Sequence, residues 1–430
     1  MSNPAPETEQ SGTVAGRFFG RETAERGRNW LIGAVVIALV AILLRQVLIA
    51  LLAAAVAMTI GLVLLWQRNG LTRVTYTRSF SRTRAFPGEE VTLEITVENA
   101  KILPLPWLEV VDELPKALEF PDSKLEPSSL PNMHVMRSFL NIGPYERVRR
   151  RYRVICPRRG FHGFGHTYLK TGDIFGFSSI EKRFDRKDAM IVYPQIVPVT
   201  ELGLPPKQPF GDERPIRPLV EDPLRFRGVR PYSPGDSPRH IHWRATARTG
   251  AVQSKQFEPS SLPTLAMFLD VNTFEHFWEG LDPERLELAI SATASLAAHG
   301  LDIGRQVGLY VNAPMARGER TIRIGPSRHP SQLRRILDAL AMVILHTGNR
   351  VETLIAEEAR RMPWGATVVV ITGRVTEGLE DELARLHRSG HAITLIAFGT
   401  RPDLAERPGF RVHWLGEEVT LEGLAELQLA

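Results

Sequence analysis

Residues 227–250 read Arg-Gly-Val-Arg-Pro-Tyr-Ser-Pro-Gly-Asp-Ser-Pro-Arg-His-Ile-His-Trp-Arg-Ala-Thr-Ala-Arg-Thr-Gly and join a β-rich half of the chain to an α/β half. Pro234-Gly235-Asp236 is a turn signal, because proline presets φ and glycine tolerates the conformations a tight turn demands. Asp236 has two candidate employments. Its carboxylate either caps the amides of residues 238–241 or pairs with one of Arg230, Arg239, Arg244 and Arg248.

Working outward, the second half alternates short apolar runs with amphipathic stretches. Strands are expected over 265–269, 306–311, 367–371, 391–398 and 411–415, and helices over 283–298, 330–346, 350–361 and 377–388. Continuous apolar strands between helices imply a parallel, doubly wound sheet covered on both faces, with ligands expected at the strand C-termini. That places Asp270 at the expected ligand edge.

The first half has a period of two. Residues 91–98 alternate apolar and polar without error, and 107–111 and 148–156 suggest further strands. An antiparallel β-sandwich is expected over 72–200. Arg147, Arg149, Arg151 and Arg153 would line the outer face of one strand, as a solvated face or as a basic stripe for anionic headgroups or an acidic partner. Residues 160–166, with Phe175 and Phe177, lack the strand-glycine-helix context and the lysine of a phosphate loop, and read as tight turns with buried phenylalanines. The proline-loaded stretch 201–226 reads as a linker.

Residues 1–29 are polar and without period, and a flexible tail is expected. Residues 30–66 are hydrocarbon, interrupted by Arg45-Gln46. A single helix there would run about 55 Å, against a hydrocarbon core of about 30 Å, so two transmembrane helices turning at Arg45-Gln46 fit better. Trp30 and Trp66 would then lie at interfaces. A signal peptide is the rival, and the second apolar run argues against it. Arg17, Arg21, Arg26 and Arg28 on one side and Arg68, Arg73 and Arg78 on the other face Arg45 alone in the turn. The positive-inside rule then puts the N-terminus and the soluble domains in the cytoplasm, on a multi-pass inner (plasma) membrane protein.

Composition bounds the rest. At 430 residues several domains are expected, and 43% apolar content is globular. Lys+Arg 53 against Asp+Glu 48 is a mixed surface rather than a nucleic-acid-binding composition. A single cysteine, Cys156, excludes an internal disulfide and a cysteine-based zinc site.

Taken together, Arg230-x-Tyr232-x-Pro234-Gly235-Asp236-x-x-Arg239-x-Ile241-His242-Trp243-x-x-x-Ala247-Arg248-Thr249-Gly250 resembles the bacterial and archaeal family called domain of unknown function 58. The resemblance extends along most of the chain. It implies a membrane anchor, a β-sandwich, a linker and a von Willebrand factor A-like α/β domain over 264–430. It also implies a non-enzymatic part in an assembly with a MoxR-type AAA ATPase and a transglutaminase-like protein. Factor A domains often bind a divalent cation through Asp-x-Ser-x-Ser, whereas the equivalent here is Asp270-Val-Asn272-Thr-Phe274. Phe274 has no oxygen to offer, so no cofactor is expected and Asp270 is expected to cap a helix or loop.

The enzyme alternative is a metal-dependent hydrolase using His240 and His242. Their spacing puts both imidazoles on one face of a strand, and Asp236, His162, His166 or His276 would supply a third ligand. The structural alternative treats 227–256 as a rigid, ion-paired joint between domains, with Asp236 the hub for Arg239 and Arg248 and Trp243 the apolar anchor.

Overall fold

The computed structural model describes residues 14–173, 179–185, 187–198, 221–233, 236–259, 264–274, 280, 282–313, 321–344, 346, 349–363, 365–399 and 410–416. The chain divides into two units, Met1–Tyr193 and Pro194–Ala430.

The first unit begins with helices α1 (Val14–Leu43) and α2 (Val47–Asn69), which lie against each other. They are joined through Arg45, at φ 55°, where the Gln46 amide donates to Ala41 O at 2.9 Å. The turn falls where the sequence places it. The irregular tail expected over 1–29 is corrected from Val14 onward: that stretch holds no proline and many good helix formers, and an apolar helix propagates into it. Residues 1–13 lie outside the described residues. Among the described residues one helix, Val47–Asn69, is long and apolar enough to cross a membrane, and the apolar part of α1, Arg28–Leu43, is shorter. At 1.5 Å per residue α2 runs about 35 Å.

Trp30 is 73% exposed, but Trp66, expected at a lipid interface, is buried at 7%. The last turn of α2 is pressed onto protein. A Cβ on Gly70 would stand 2.7 Å from Ile180 Cδ1 and 2.8 Å from Trp66 O, so a side chain there would have to displace its neighbours.

The strands of this unit are β1 (Val74–Phe80), β2 (Arg84–Ala85), β3 (Glu90–Asn99), β4 (Leu105–Pro115), β5 (Leu125–Pro127), β6 (Met133–Ile142), β7 (Arg147–Ile155), β8 (Gly160–Gly163), β9 (Thr167–Gly172), β10 (Ser179–Phe184) and β11 (Ala189–Val192). They form sheets in the orders β1-β3-β7, β10-β9-β4-β6-β5 and β2-β11-β8. All pairings are antiparallel except the two-residue match of β2 with β11. The alternation read in β3 is structural: Val91, Leu93, Ile95 and Val97 are buried and share a core with Leu108 and Val110 of β4, Met136 of β6 and Leu169 of β9. Residues 160–163, read as a turn, form β8 instead, with Phe164 buried after it. Phe175 and Phe177 lie outside the described residues.

Two charge assignments change. Arg78, counted among the cations flanking the membrane, is 4% exposed and bonds Asp112 Oδ1 at 3.1 Å and Thr167 Oγ1 at 2.8 Å. The basic stripe on β7 is matched by carboxylates: Arg147 bonds Glu98 at 2.8 Å, Arg149 and Arg151 lie 3.5 and 2.8 Å from Glu94, and Arg153 bonds Asp122 at 2.8 Å. The β3–β7 register, with Glu98 opposite Arg147 and Glu94 opposite Arg151, turns the stripe into a ladder of ion pairs.

In the second unit a two-stranded antiparallel ribbon comes first, β12 (Glu221–Pro231) with β13 (Gln253–Pro259), enclosing helix α3 (Trp243–Thr249). The expected linker therefore ends by residue 220, and residues 199–220 lie outside the described residues. Pro223 and Pro231 are tolerated because each strand of a ribbon has an open edge.

The α/β part follows: β14 (Thr264–Leu269), α4 (Pro283–Asp302), β15 (Gln306–Val311), β16 (Ile322–Ser327), α5 (Gln332–Met342), α6 (Val351–Ala359), β17 (Thr367–Thr372), α7 (Glu377–Arg388), β18 (Ala392–Phe398) and β19 (Phe410–Leu415). The sheet order is β16-β15-β14-β17-β18-β19. It is mixed rather than wholly parallel, because β16, absent from the sequence expectation, runs antiparallel to β15. Its burial alternates, which fits an edge strand, whereas β14 and β17 are buried at every position. Helices α4 and α5 cover one face. On the other, Leu354 and Ile355 of α6 and Leu379, Leu383 and Leu386 of α7 meet Phe268, Val368, Val370 and Leu395. Asp282 caps α4 by accepting from the Glu284 and Arg285 amides, with Pro283 at the first turn.

Candidate functional site

The segment between β12 and β13 is built from local signals. Tyr232 N donates to Val252 O at 2.9 Å, extending the ribbon past its last ladder pair, Pro231 with Gln253. A 3-10 turn, Pro238–His240, follows, and Ile241 then bridges to Ser254. His242 is the N-cap of α3, its Nδ1 accepting from Ala245 N at 3.0 Å, while its own amide donates to Gln253 O at 2.8 Å. Gly250 ends the helix at φ 69°, a left-handed value suited to glycine. Thr246 Oγ1 ties the helix back to the ribbon by accepting from Gln253 N at 3.0 Å.

Asp236 takes the second of its two employments and adds a turn closure. One oxygen accepts from Arg230 Nη2 and the other from the Ser233 amide at 3.0 Å, while Tyr232 Oη donates to the Asp236 carbonyl at 3.1 Å. The Arg230 guanidinium, then the Ser233 amide, hold its carboxyl below the usual carboxylate range. It does not gather the other arginines: among the described residues no partner stands against Arg239, Arg244 or Arg248. Pro234, Gly235 and His276 lie outside the described residues.

Trp243 is not an apolar anchor. It is 71% exposed at the start of α3, with Arg244, Ala247 and Arg248 exposed beside it and Val252 44% exposed beyond the helix. A seven-residue helix tied down through Ala245, Thr246 and the His242 cap has only one inward face, and Trp243 is off it. Between Asp236 and Glu258 the chain carries no carboxylate, but it carries Arg239, Arg244, Arg248 and Lys255.

The strand needed for the two-imidazole site is not formed. His240 ends the 3-10 turn and His242 caps α3. His162 and His166 belong to the first unit, where His162 Nε2 lies 3.2 Å from Arg158 O and His166 Nδ1 lies 2.8 Å from Asp185.

A second cluster lies at the C-terminal edge of the α/β sheet, between β14 and β17, where the strand order reverses. Asp270 Oδ1 accepts from Asn312 Nδ2 at 2.7 Å and Asn272 N at 3.0 Å, and Oδ2 accepts from Thr372 Oγ1 at 3.0 Å. Asn312 Oδ1 in turn accepts from Val271 N at 2.9 Å, and its Nδ2 also donates to Asn349 O at 2.7 Å. Asp270 thus caps its own loop through the Asn272 amide and ties the ends of β14, β15 and β17 together. Burial lifts its carboxyl to about 6, against the bonds from Asn272, Asn312 and Thr372 that favour the charged form. Both oxygens face donors, which knots the ends of these strands together. Phe274 is 37% exposed and brings no oxygen. Sequence reasoning named Asp270 and Asn272 but missed Asn312 and Thr372; the signal was a polar residue directly after each apolar strand run.

The family model described as "Protein of unknown function DUF58" matches residues 228–401, from the end of β12 to just past β18. The "Uncharacterized protein YeaD" of Bacillus subtilis (strain 168) is 24% identical over 324 residues, 74% of this chain and 74% of that one. Among solved structures, a non-cellulosomal cohesin from Archaeoglobus fulgidus is similar at 12% identity and TM-score 0.19, over 27% of this chain and 91% of that one. Spo0M, a sporulation control protein from Bacillus subtilis, is similar at 13% identity and TM-score 0.16, over 28% of this chain and 49% of that one. Likenesses at those scores carry no argument about fold or function.

Proposed function

We propose that the chain is a membrane-anchored, non-enzymatic adaptor that works with a MoxR-type AAA ATPase, and with a transglutaminase-like protein, in a membrane-associated assembly. The anchor is a hairpin of α1 and α2, with the N-terminus and both units on the cytoplasmic side of the plasma membrane. The α/β part serves as a von Willebrand factor A-like binding module whose Asp270 is structural and takes no cation.

The observation that carries this reading is the exposed Trp243 beside arginines that have no partner among the described residues, inside the matched segment and on the same chain as an apolar helix of spanning length. Exposed tryptophan and arginine are the residue types that dominate binding surfaces. The ATPase itself is drawn from the resemblance of the 230–250 motif.

The test is co-purification of the full chain from membranes, with the bound proteins identified. A MoxR-type ATPase is expected in the wild-type eluate, reduced by Asp236→Ala and by Arg239→Ala. An eluate without an ATPase, or capture untouched by both substitutions, refutes the adaptor role of this segment.

A further inference from the structure

We propose that the face of α3 bearing Trp243, Arg244 and Arg248 docks on the anionic headgroup surface of the membrane that anchors the chain. It rests on the anchoring proposed above and goes beyond it, since an adaptor does not require its own soluble unit to touch lipid.

The sequence offers two basic stretches, and the structure separates them. On β7 each of the four stripe arginines meets a carboxylate of β3 or the loop before β5, with Glu94 shared by two of them, so most of that face's charge is already matched. On α3 none of the described residues pairs with Arg244 or Arg248, and none pairs with Arg239 on the preceding turn. The nearest carboxylate in sequence, Asp236, is already bonded to Arg230 and held in its charged form by that contact. Among the described residues, guanidinium groups without a carboxylate partner therefore surround a large exposed indole.

Each part of this surface has a role at a headgroup layer. Tryptophan is favoured at membrane interfaces, where its ring is half in an apolar phase and its N–H stays wet. Guanidinium binds phosphate bidentately and sheds water more readily than ammonium. An anionic leaflet attracts each basic residue near its surface. A bilayer is favoured over a separate acidic protein because, with the anchoring proposed above, the second unit is covalently continuous with the anchor, which makes the encounter intramolecular.

The experiment uses the full chain in lipid nanodiscs of phosphatidylcholine alone and of phosphatidylcholine with about a quarter phosphatidylglycerol, enough to give an anionic surface potential. The chain has several tryptophans, so the emission of Trp243 is taken as the difference between wild type and Trp243→Phe. Docking predicts a blue shift of that difference emission in the anionic discs, quenching by lipids brominated near the headgroup, and protection from aqueous acrylamide. All three are lost in pure phosphatidylcholine and at high salt. Arg244→Gln with Arg248→Gln should lower the docked-to-undocked ratio about 25-fold, about five-fold for each arginine.

Difference emission that is equally open to acrylamide in both discs overturns the proposal while leaving the anchor intact. Protection that is the same in both discs means protein covers Trp243 and overturns it too. Protection that appears only on adding the purified ATPase, or only on adding DNA, assigns the surface to that ligand instead of lipid. A chain that stays soluble and outside the discs overturns docking and anchoring together.

Discussion

Replacing Asp112 by alanine strands a charge in the centre of the first unit. The Arg78 side chain is fully buried, and after the change the carboxylate that remains near it is Asp188, at 3.9 Å. Thr167 Oγ1 and Tyr76 Oη, each 2.6 Å from Asp112 Oδ1, lose their acceptor at the same time. Burial, with the Asp112 carboxylate next to it, holds the Tyr76 phenol far above its usual range, so it is a proton donor at any ordinary pH. Removing one partner of a buried pair costs about 3–5 kcal/mol, and the two hydroxyl losses overlap with that sum rather than adding to it.

Cys156 supplies the assay. It is the only cysteine, it is fully buried in the same core, and burial followed by Glu89 pushes its thiol up to about 11. Alkylation in increasing urea therefore reports unfolding of this unit and of nothing else in the chain. With a slope of about 1.5 kcal/mol/M, Asp112→Ala should lower the labelling midpoint by about 2–3 M. The paired change Arg78→Met with Asp112→Leu removes the stranded charge but still leaves the Thr167 and Tyr76 hydroxyls without that acceptor, so it should recover most but not all of the loss. A shift under about 0.5 M for Asp112→Ala would refute the stranded-charge account. A double variant as damaged as the single one would move the cost from charge to packing.

Two further outcomes follow from the geometry. Asp270, lifted to about 6 by burial, binds its proton more tightly folded than unfolded. Its contribution to stability is thus full below about pH 4 and is lost as pH rises through 6, amounting to about 3 kcal/mol. Hydrogen exchange of β14 and β17 amides, corrected for intrinsic rates, should show protection falling over that window and no such slope in Asp270→Asn; protection that rises with pH contradicts it. Gly165→Ala would put a Cβ 2.5 Å from Cβ and Oε2 of Glu113, where Gly165 N also donates to Glu113 O at 3.0 Å. It should destabilise the first unit by about 1–3 kcal/mol, read as a lower Cys156 labelling midpoint, and an unmoved midpoint would mean that the strand simply gives way.

Elements whose cause is local are written directly in the chain. A period of two set β3, uninterrupted apolar runs set β14, β17 and β18, and the polar break at Arg45-Gln46 set the turn between α1 and α2. In the motif, Asp236 was legible as a turn residue or arginine partner because turn closure acts within a few residues, whereas α3, with its His242 cap and Gly250 stop, was not read from the sequence. What remained for the tertiary structure was the choice of partners. Arg78 looks like a membrane-flanking cation until strand pairing brings it to Asp112 and Thr167, 34 and 89 residues away. The β7 arginines look like a basic patch until register sets Glu94 and Glu98 across from them. Trp243 looks like a core residue, yet a short helix tied down through its other face leaves it in solvent. Periodicity is written in neighbouring residues, whereas burial and charge pairing depend on which distant strand arrives, and no local pattern encodes that.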